Sequence, residues 1–221
     1  MRIIVTAGPT REYLDPVRFL SNPSTGKMGF AIAAEAARRR HEVVLVTGPV
    51  ALKTPKGVER VDVVSAREMM AAVLAAVGDG KRTTARETVL IATAAVADWR
   101  PAKCAAKKLK KGEMSGVLKL VRNPDILKTV DSYRKRSKAV GLRLVGFAAE
   151  TDHVLGEAAR KCREKGLSFI VANDVTQKGC GFGTDTNRVT FVFPDGTQRK
   201  FPLMTKRRVA MEILKESERE R

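Results

Sequence analysis

The sequence has 221 residues, of which 43% are hydrophobic and 30% are charged. This composition is typical of a folded domain and excludes a chain that is disordered throughout. A chain of this length buries enough apolar surface to fold without disulfides, so we expect a single domain over residues 1–221. Lys and Arg outnumber Asp and Glu by 42 to 24, a net charge of +18, which favours an anionic ligand.

The first residues predict neither a signal peptide nor a membrane span. Arg2 leads directly into a short apolar run, and no apolar run approaches the ~18–20 residues that a membrane helix needs. The three cysteines are an odd number without CxxC spacing, which disfavours a disulfide scaffold and a zinc ribbon. We therefore expect a cytoplasmic protein with no membrane partner.

The first fifty residues predict a strand–helix–strand unit. Residues 2–7 are apolar and largely β-branched, as expected of a strand buried on both faces of a parallel sheet. A long loop with three prolines follows over residues 8–26. From Lys27 apolar residues recur at helical spacing and define one face, namely Phe30, Ala33, Ala34 and Ala37. Residues 42–48 form the next strand, which implies a right-handed crossover in an α/β sheet.

The alternation of strands and helices continues along the chain. Further strands are expected at residues 58–64, 89–94, 145–149 and 169–172. One helix is opened by the Ser65 capping box, and another is opened by Thr151 and ended by Gly166. Their expected core faces are Met70, Val73, Leu74 and Val77 in the first helix and Leu155, Ala158, Ala159 and Cys162 in the second.

The last part of the chain predicts a hairpin at about residues 188–203, centred on a Pro-Asp-Gly turn, and then a charged helix. With the preceding elements, this order predicts an α/β fold. We expect a doubly wound, mostly parallel, Rossmann-like sheet with a late β-hairpin appendage.

Four predicted strands end in small residues, and these ends predict where a ligand binds. The ends are residues 6–9, 93–95, 147–150 and 172–174. In an open α/β sheet, ligands bind at the carboxyl ends of the strands, and small residues allow a close approach to the backbone. The sequence therefore predicts a ligand crevice at this edge of the sheet.

The residues around Lys27 predict an anion site at the start of a helix. The segment 24–29, STGKMG, is not a Walker A motif, because Met28 follows Lys27 and Ser21 stands where that motif has its first glycine. The first loop also lacks the GxGxxG fingerprint, which disfavours an NAD(P)-dependent oxidoreductase. What remains is an anion site formed by free backbone N–H groups at a helix N-terminus.

A basic segment follows the strand at 89–94. Residues 100–112 hold six cations and no acid, and we interpret them as part of a mobile flap at about residues 100–116. Nucleic-acid binding is the alternative that the charge suggests, but it favours interleaved aromatic residues or a recognition helix. Aromatic residues make up only 5% of the chain, so we expect no nucleic-acid partner.

Eight short motifs occur in order along the chain, namely GPTRE at 8–12, DPVRFLSN at 15–22, STGKMG at 24–29, AAVADWRP at 94–101, KLKK at 108–111, NPDI at 123–126, GFAAET at 146–151 and ANDV at 172–175. Together they closely resemble the phosphopantothenoylcysteine synthetase family, the ligase of coenzyme A biosynthesis, over residues 2 to about 215.

The resemblance implies that 4′-phosphopantothenate is joined to L-cysteine, with CTP hydrolysed to CMP and pyrophosphate through an acyl-cytidylate. ATP in place of CTP stays open as an alternative. The resemblance further implies Mg²⁺ on the triphosphate and a homodimer. In many bacteria it also implies a flavin-dependent decarboxylase as a partner.

The resemblance assigns catalytic roles to three residues. Asn22 would donate its amide to the acyl carbonyl, as an oxyanion donor does, although an Asn before a Pro also favours a turn. Arg18 would hold a carboxylate or a phosphate in the cysteine half-reaction. Lys108, the first residue of KLKK, would close over the triphosphate and neutralise its charge.

The remaining candidate positions are expected to bind the nucleotide or the acyl intermediate. With Lys108, they are Gly8, Ser24, Gly26, Gly29, Ala92, Thr93, Ala94, Ala95, Asp98, Pro124, Asp125, Ile126, Leu127, Phe147, Lys161, Lys165 and Asn173. Among them, Lys161 and Lys165 are included because their i, i+4 spacing on one helix lets both reach a triphosphate from one side. Phe147 would stack on the base, and Asp98 would accept hydrogen bonds from sugar hydroxyls or a base amine. Asp98 is also compatible with a helix cap, and Lys161 and Lys165 with a solvated helix flank. No residue is assigned as a metal ligand.

Overall fold

The structure is a computed structural model that describes residues 1–78, 87–110, 116–139, 141–150, 154–174, 179–181 and 183–219. In chain order, its elements are β1 (Arg2–Ala7), β2 (Arg11–Tyr13), β3 (Phe19–Ser21), α1 (Lys27–Arg38), β4 (Glu42–Thr47), β5 (Val58–Asp62), α2 (Ala66–Gly78), β6 (Thr88–Ala92), β7 (Trp99–Pro101), β8 (Leu120–Arg122), α3 (Ile126–Ser137), β9 (Leu142–Glu150), α4 (Val154–Glu164), β10 (Phe169–Asp174), β11 (Thr186–Asn187), β12 (Val189–Val192), β13 (Gln198–Lys200), β14 (Met204–Thr205) and α5 (Lys206–Ser217).

A central sheet of eight strands runs in the order β13-β12-β10-β9-β6-β1-β4-β5. The strands from β10 to β5 are parallel, whereas β12 is antiparallel to both β10 and β13. The parallel strands therefore have a doubly wound order, and the strand order reverses between β1 and β6. The predicted mostly parallel α/β sheet is confirmed, and the late hairpin, β12–β13, continues its edge.

Helices cover both faces of the sheet. Helices α1 and α5 pack on one face, in a core that includes Val5, Phe30 and Ile213. Helices α2, α3 and α4 pack on the other face, in a core that includes Ile4 and Cys162. Ile4 and Val5 are neighbours in β1 that point into opposite cores, as the pleat of a strand requires. Strand β1 is therefore buried on both faces, which explains its apolar sequence.

The buried face of α1 differs from the predicted stripe. Phe30 and Ala33 are buried as expected, but Ala34 is exposed, and Ile32 and Ala36 are buried as well. The helix packs against both the sheet and α5, so its buried face is broad and is turned away from Ala34. The prediction for Ala34 was wrong.

The capping signal at the start of α2 is confirmed. Ser65 Oγ accepts a hydrogen bond from Glu68 N at 3.2 Å, and the Glu68 carboxylate accepts from Val64 N at 2.7 Å. The predicted Met70 and Leu74 are only half-buried. The buried residues of α2 are Ala66, Met69, Val73 and Val77.

Helix α4 has the predicted core face. The residues that pack in this core are Leu155, Ala158, Ala159 and Cys162. Gly166 follows the helix with a φ of +59°, the left-handed conformation that glycine adopts at a helix C-terminus. Thr151, the expected cap, lies outside the described residues.

The expected single loop between β1 and α1 contains a short hairpin. Strands β2 and β3 pair antiparallel, from Arg11 with Ser21 to Tyr13 with Phe19. The Phe19 ring lies 5.3 Å from the Tyr13 ring and 4.6 Å from the Arg11 guanidinium. Strands of three residues are too short to show the alternation of apolar and polar residues that predicts a strand. The prolines of this segment therefore predicted a loop instead.

A second small sheet forms the base of the predicted flap. Strands β7 and β8 pair antiparallel, from Trp99 with Arg122 to Pro101 with Leu120. Of the predicted flap at residues 100–116, residues 111–115 lie outside the described part of the chain.

The structure also shows the state of the three cysteines and whether any helix could span a membrane. Cys104 is exposed, Cys162 and Cys180 are buried, and none of the three forms a disulfide within the part of the chain that the structure describes. Within the ranges that the structure describes, no helix combines the length and the apolar character that a bilayer crossing needs.

Candidate active site

A crevice of about 600 Å³ opens at the carboxyl edge of the sheet, where the strand order reverses between β1 and β6. Open α/β sheets bind ligands at this position. Its walls come from the start of α1, the loop after β6, the start of α3, the end of α4 and the ends of β9 and β10. The predicted residues that line it are Asn22, Ser24, Gly26, Gly29, Ala92, Thr93, Ala94, Ala95, Asp98, Pro124, Asp125, Ile126, Leu127, Phe147, Lys161, Lys165 and Asn173.

The start of α1 is an uncapped helix N-terminus that faces the crevice. Gly26 is its N-cap residue, with a φ of +77° and no side-chain hydrogen bond to the cap. The first N–H groups of a helix have no intrahelical partner and, with the helix dipole, they favour an anion. Gly29 lets the helix approach the strands, because a Cβ there would come within 2.6 Å of Ala7 Cβ and Thr93 Oγ1. The geometry of the predicted anion site is therefore present.

Hydrogen bonds fasten the loop after β6 to the end of β1. Thr93 Oγ1 donates to Thr6 O at 2.6 Å, and Ala94 N donates to Thr6 Oγ1 at 3.2 Å. Asn22 Nδ2 donates to the carbonyls of residues 95 and 96, at 3.2 and 3.4 Å. The backbone of this loop therefore positions the Asn22 amide at the edge of the crevice.

The opposite wall is built around Asp125. One oxygen of Asp125 accepts from Lys128 N at 3.1 Å and caps α3, while the other lies 3.0 Å from Lys165 Nζ. Lys161 lines the same wall, and the half-buried Phe147 lies in β9. Lys165 is therefore held in an ion pair at the crevice instead of extending from a solvated helix flank.

Two further lysines lie beside the start of α1. Lys27 Nζ donates to Asp185 Oδ1 at 2.8 Å and to Gly183 O at 2.9 Å. Lys206 is buried, and its Nζ donates to Thr184 O at 2.5 Å. Burial lowers the pKa of Lys206, and the Lys27 charge lowers it further, whereas Asp185 acts in the opposite direction. The hydrogen bond from Lys27 also lowers the pKa of the Asp185 carboxyl.

The model of one protein family, the DNA/pantothenate metabolism flavoprotein C-terminal domain, matches residues 1–219. The chain belongs to this family. Its relatives include the coenzyme A biosynthesis bifunctional protein CoaBC of Bacillus subtilis (strain 168), 46% identical over 215 residues that cover 97% of this chain and 50% of the relative. CoaBC of Escherichia coli (strain K12) is 46% identical over 219 residues, 98% of this chain and 51% of the relative. The chain spans about half the length of these curated relatives.

Solved structures of the family share the fold. The C-terminal domain of a coenzyme A biosynthesis bifunctional protein CoaBC is 42% identical, with a TM-score of 0.77, and the match covers 98% of this chain and 93% of that one. A DNA/pantothenate metabolism flavoprotein from Streptococcus pneumoniae is 25% identical, with a TM-score of 0.77 and 98% coverage of both chains. The family resemblance drawn from the eight motifs is confirmed.

In this member of the family, the predicted catalytic residues Arg18 and Lys108 lie outside the crevice lining. Arg18 Nε and Nη2 donate to Asp15 Oδ2, at 3.0 and 2.6 Å. Arg18 Nη2 also donates to Leu109 O at 2.7 Å, and Asp15 Oδ2 accepts from Leu109 N at 3.2 Å. Asp15, Arg18 and Leu109 thus form a flap anchor, which holds the backbone beside the exposed Lys108.

The flap anchor is strongly charged. Asp15 is fully buried, yet the Arg18 guanidinium holds the pKa of its carboxyl well below the usual range. Backbone N–H groups, including that of Leu109, lower this pKa as well, while burial opposes them. The anchor therefore stays ionised in acid well below neutral pH.

Gly8 is the third predicted residue outside the lining. It has a φ of +73°, and a Cβ there would come within 2.9 Å of Val50 Cγ1. A Cβ at Gly26 would in turn lie 3.4 Å from Gly8 N. Gly8 therefore supports the start of α1 from behind, because the chain is close-packed at this point.

The prediction also left out several lining residues, among them Thr6, Lys27, Asn123, Asn187 and Lys206. Lys27 and Asn123 stand within the motifs STGKMG and NPDI, which were the available signals. Lys206 has no local signal, because a lysine at the start of a charged helix is ordinarily solvated and only the tertiary fold buries it.

Proposed function

We propose that this chain is a phosphopantothenate–cysteine ligase domain, which joins 4′-phosphopantothenate to L-cysteine through an amide bond in the cytoplasm. CTP is hydrolysed to CMP and pyrophosphate, with an acyl-cytidylate as the intermediate. The observation that carries this proposal is that the α1 N-terminus, the lysines and Asn22 line one and the same cavity. The family's coenzyme A biosynthesis proteins support the same activity, although those named above are about twice as long.

The first step activates the acid. A carboxylate oxygen of 4′-phosphopantothenate attacks the α-phosphate of CTP, and pyrophosphate leaves with the electrons of the broken P–O bond. Free N–H groups at the start of α1, with Lys27, bind phosphate oxygens during this step. Phe147 stacks on the base, and Lys161 and Lys165 add positive charge along the opposite wall.

The second step forms the amide. The cysteine amine attacks the acyl carbon, CMP leaves, and the amine loses a proton. The Asn22 amide stabilises the negative charge that develops on the acyl oxygen. Its hydrogen bond to Val96 O is long, at 3.4 Å, so this N–H can turn to the acyl oxygen at little cost.

Mg²⁺ fits this site as a partner of the triphosphate. Among the described residues, no group of three or more His, Cys, Asp and Glu side chains could hold a metal ion. Of the carboxylates that line the described crevice, Asp125 is paired with Lys165, and Asp98 is the other. Mg²⁺ is commonly bound by one or two carboxylates together with phosphate oxygens. Asp98 and the CTP phosphates would hold the ion, which neutralises charge on the pyrophosphate.

Pyrophosphate release tests the proposed function. The purified protein with Mg²⁺ and CTP is expected to release pyrophosphate only when 4′-phosphopantothenate is present, and to form the amide only when L-cysteine is added. A parallel panel of ATP, GTP and UTP identifies the nucleotide, and ATP as the preferred one would replace CTP in the proposal. Pyrophosphate release without the acid, or none with any nucleotide, would contradict the ligase.

The alternative of an NAD(P)-dependent oxidoreductase is not supported by the first crossover. In dinucleotide-binding proteins, a Gly-rich turn leads directly from the first strand into the helix. Here the β2–β3 hairpin separates β1 from α1. The helix N-terminus is therefore presented by a different loop, with Asn22 beside it.

We also propose that the chain forms a homodimer through its two small hairpins. Most of the large apolar side chains that are exposed in the described part of the chain come from β2–β3, β7–β8 and their connections, namely Val17, Phe19, Trp99, Val117, Leu118 and Leu120. Apolar surface gathered in this way is typical of a protein interface. The edge strand β13 of the late hairpin, by contrast, carries polar residues. A flavin-dependent decarboxylase stays the proposed partner, in line with the bifunctional relatives.

Light scattering tests the dimer. The wild-type chain is expected to have twice the monomer mass of 24.2 kDa in solution. Val17→Glu places a charge on the apolar surface and is expected to shift the mass to that of the monomer. Leu203→Glu is the matched control, because Leu203 is an exposed apolar residue that lies outside β2–β3 and β7–β8. A monomeric wild type, or a dimeric Val17→Glu variant, would contradict this interface.

A further inference from the structure

Lys206 and two asparagines form a polar recess at the β10 end of the crevice. Asn173 is at the end of β10, Lys206 begins α5, and each is 8% exposed. Both line the cavity, together with Asn187 and Gly181. Neither Lys206 nor Asn187 has a part in the chemistry proposed above.

Hydrogen bonds join these residues through Gly181. Asn187 Oδ1 accepts from Gly181 N at 3.4 Å and from Asn173 Nδ2 at 3.5 Å. Gly181 O in turn accepts from Lys206 Nζ at 3.3 Å. The recess is therefore built from connected, buried groups and not from solvated surface side chains.

Two groups in the recess need a further partner. Asn173 Oδ1 is buried and has no hydrogen-bond partner among the described residues, which is costly unless a ligand or a water supplies a donor. The hydrogen bonds of the Lys206 ammonium in the described structure go to the carbonyls of Gly181 and Thr184. A buried ammonium without a carboxylate in contact attracts an anion.

We propose that Lys206, Asn173 and Asn187 form a phosphate subsite within the crevice. This inference rests on the proposed function, which supplies two sources of phosphate, the triphosphate of CTP and the phosphate ester of 4′-phosphopantothenate. Lys206 donates to a phosphate oxygen, and a hydroxyl or water that accompanies the phosphate donates to Asn173 Oδ1. Asn187 holds Asn173 and the backbone of Gly181 in position.

The subsite extends the anion site of α1. Lys27, the first residue of α1, contacts Gly183 O and Asp185, and Lys206 contacts Thr184 O between them. The two ammonium groups therefore lie on the same short segment, and each makes the other's surroundings more positive. A bound phosphate lowers this repulsion, which is a reason for its affinity.

Calorimetric binding tests the subsite. Lys206→Met keeps the side-chain length and removes the charge, and it is expected to weaken binding of at least one phosphate ligand about tenfold or more. The ligands are CTP with Mg²⁺, 4′-phosphopantothenate, and pantothenate, which lacks the phosphate and is expected to bind unchanged. Arg207→Met, at the exposed neighbouring position, is the matched control and is expected to bind all three normally.

The outcomes separate the two sources of phosphate. A loss for CTP alone assigns the subsite to the triphosphate, and a loss for 4′-phosphopantothenate alone assigns it to the phosphate of the acid. Unchanged affinity for both, or an equal loss for pantothenate, would overturn the subsite. If Lys206→Met does not fold, Asn173→Asp puts a negative charge into the recess and must weaken the same binding. Wild-type protein that binds these ligands but releases no pyrophosphate would count against the ligase and not against the subsite.

Discussion

Asn22→Asp is expected to slow acyl transfer to cysteine about 100-fold or more, the cost of losing one oxyanion donor, while pyrophosphate release persists in part. The substitution replaces Nδ2 with an oxygen that faces the carbonyls of residues 95 and 96 at 3.2 and 3.4 Å. Two hydrogen bonds become repulsions, and the donor for the acyl oxygen is lost. The first step relies on the start of α1 and on Lys27, which the substitution leaves in place.

Single-turnover experiments separate the two steps for Asn22→Asp. Quenched samples analysed by mass spectrometry should show the acyl-cytidylate accumulating, with little amide product. Asn22→Ala serves as the control, because it removes the donor without adding a charge. It is expected to slow the second step about 100-fold, and any further loss in Asn22→Asp measures the effect of the added charge. Normal turnover by Asn22→Asp would show that Asn22 is not the oxyanion donor.

Much of the crevice could be predicted because its signals are local. Strand β1 is apolar along its length since it is buried on both faces, and its end, with those of three other strands, carries small residues. Parallel strands bring their carboxyl ends to one edge, so these residues had to meet. The roles of Gly26 and Gly29 could also be predicted from the sequence, because a helix that begins against a strand leaves no room for side chains there.

The rest depends on tertiary contacts that the sequence does not reveal. An arginine such as Arg18 binds carboxylates well, but the sequence does not show whether the carboxylate belongs to a ligand or to Asp15, three residues away. In the structure, the Arg18 guanidinium donates hydrogen bonds to Asp15 and to the backbone carbonyl of Leu109. The burial of Lys206 could not be predicted either, because its ammonium is buried only by the packing of α5 against the segment near Gly181.

Asp15→Asn is expected to lower kcat about tenfold or more, since small misplacements of a reacting group are costly, with a smaller change in the KM for CTP. Asp15 Oδ2 accepts hydrogen bonds from Arg18 and from Leu109 N, and an asparagine amide in its place would set an NH₂ group against the guanidinium. Arg18 would then lose the partner that orients it toward Leu109 O. Lys108, the residue before Leu109, would no longer be positioned for the triphosphate.

Two readouts distinguish positioning of the flap from a general loss of stability. Limited proteolysis within residues 102–110 should become faster in Asp15→Asn, while the secondary structure measured by circular dichroism stays unchanged. Asp62→Asn is the matched control, because Asp62 also pairs with an arginine, Arg60, but lies exposed on β5 outside the crevice. It is expected to leave both kcat and proteolysis at wild-type values.

The pH dependence of flap protection follows from the charge of the flap anchor. Because Arg18 holds the pKa of Asp15 below its usual range, the carboxylate stabilises the anchor above the ordinary aspartate pKa of about 3.9 and keeps doing so until the pH falls through the lowered value. Wild-type protection should therefore persist at about pH 4–5, and Asp15→Asn should lack it at every pH. Loss of wild-type protection near the ordinary pKa, or a variant with normal kcat and normal protection, would exclude Asp15 as the residue that positions the flap.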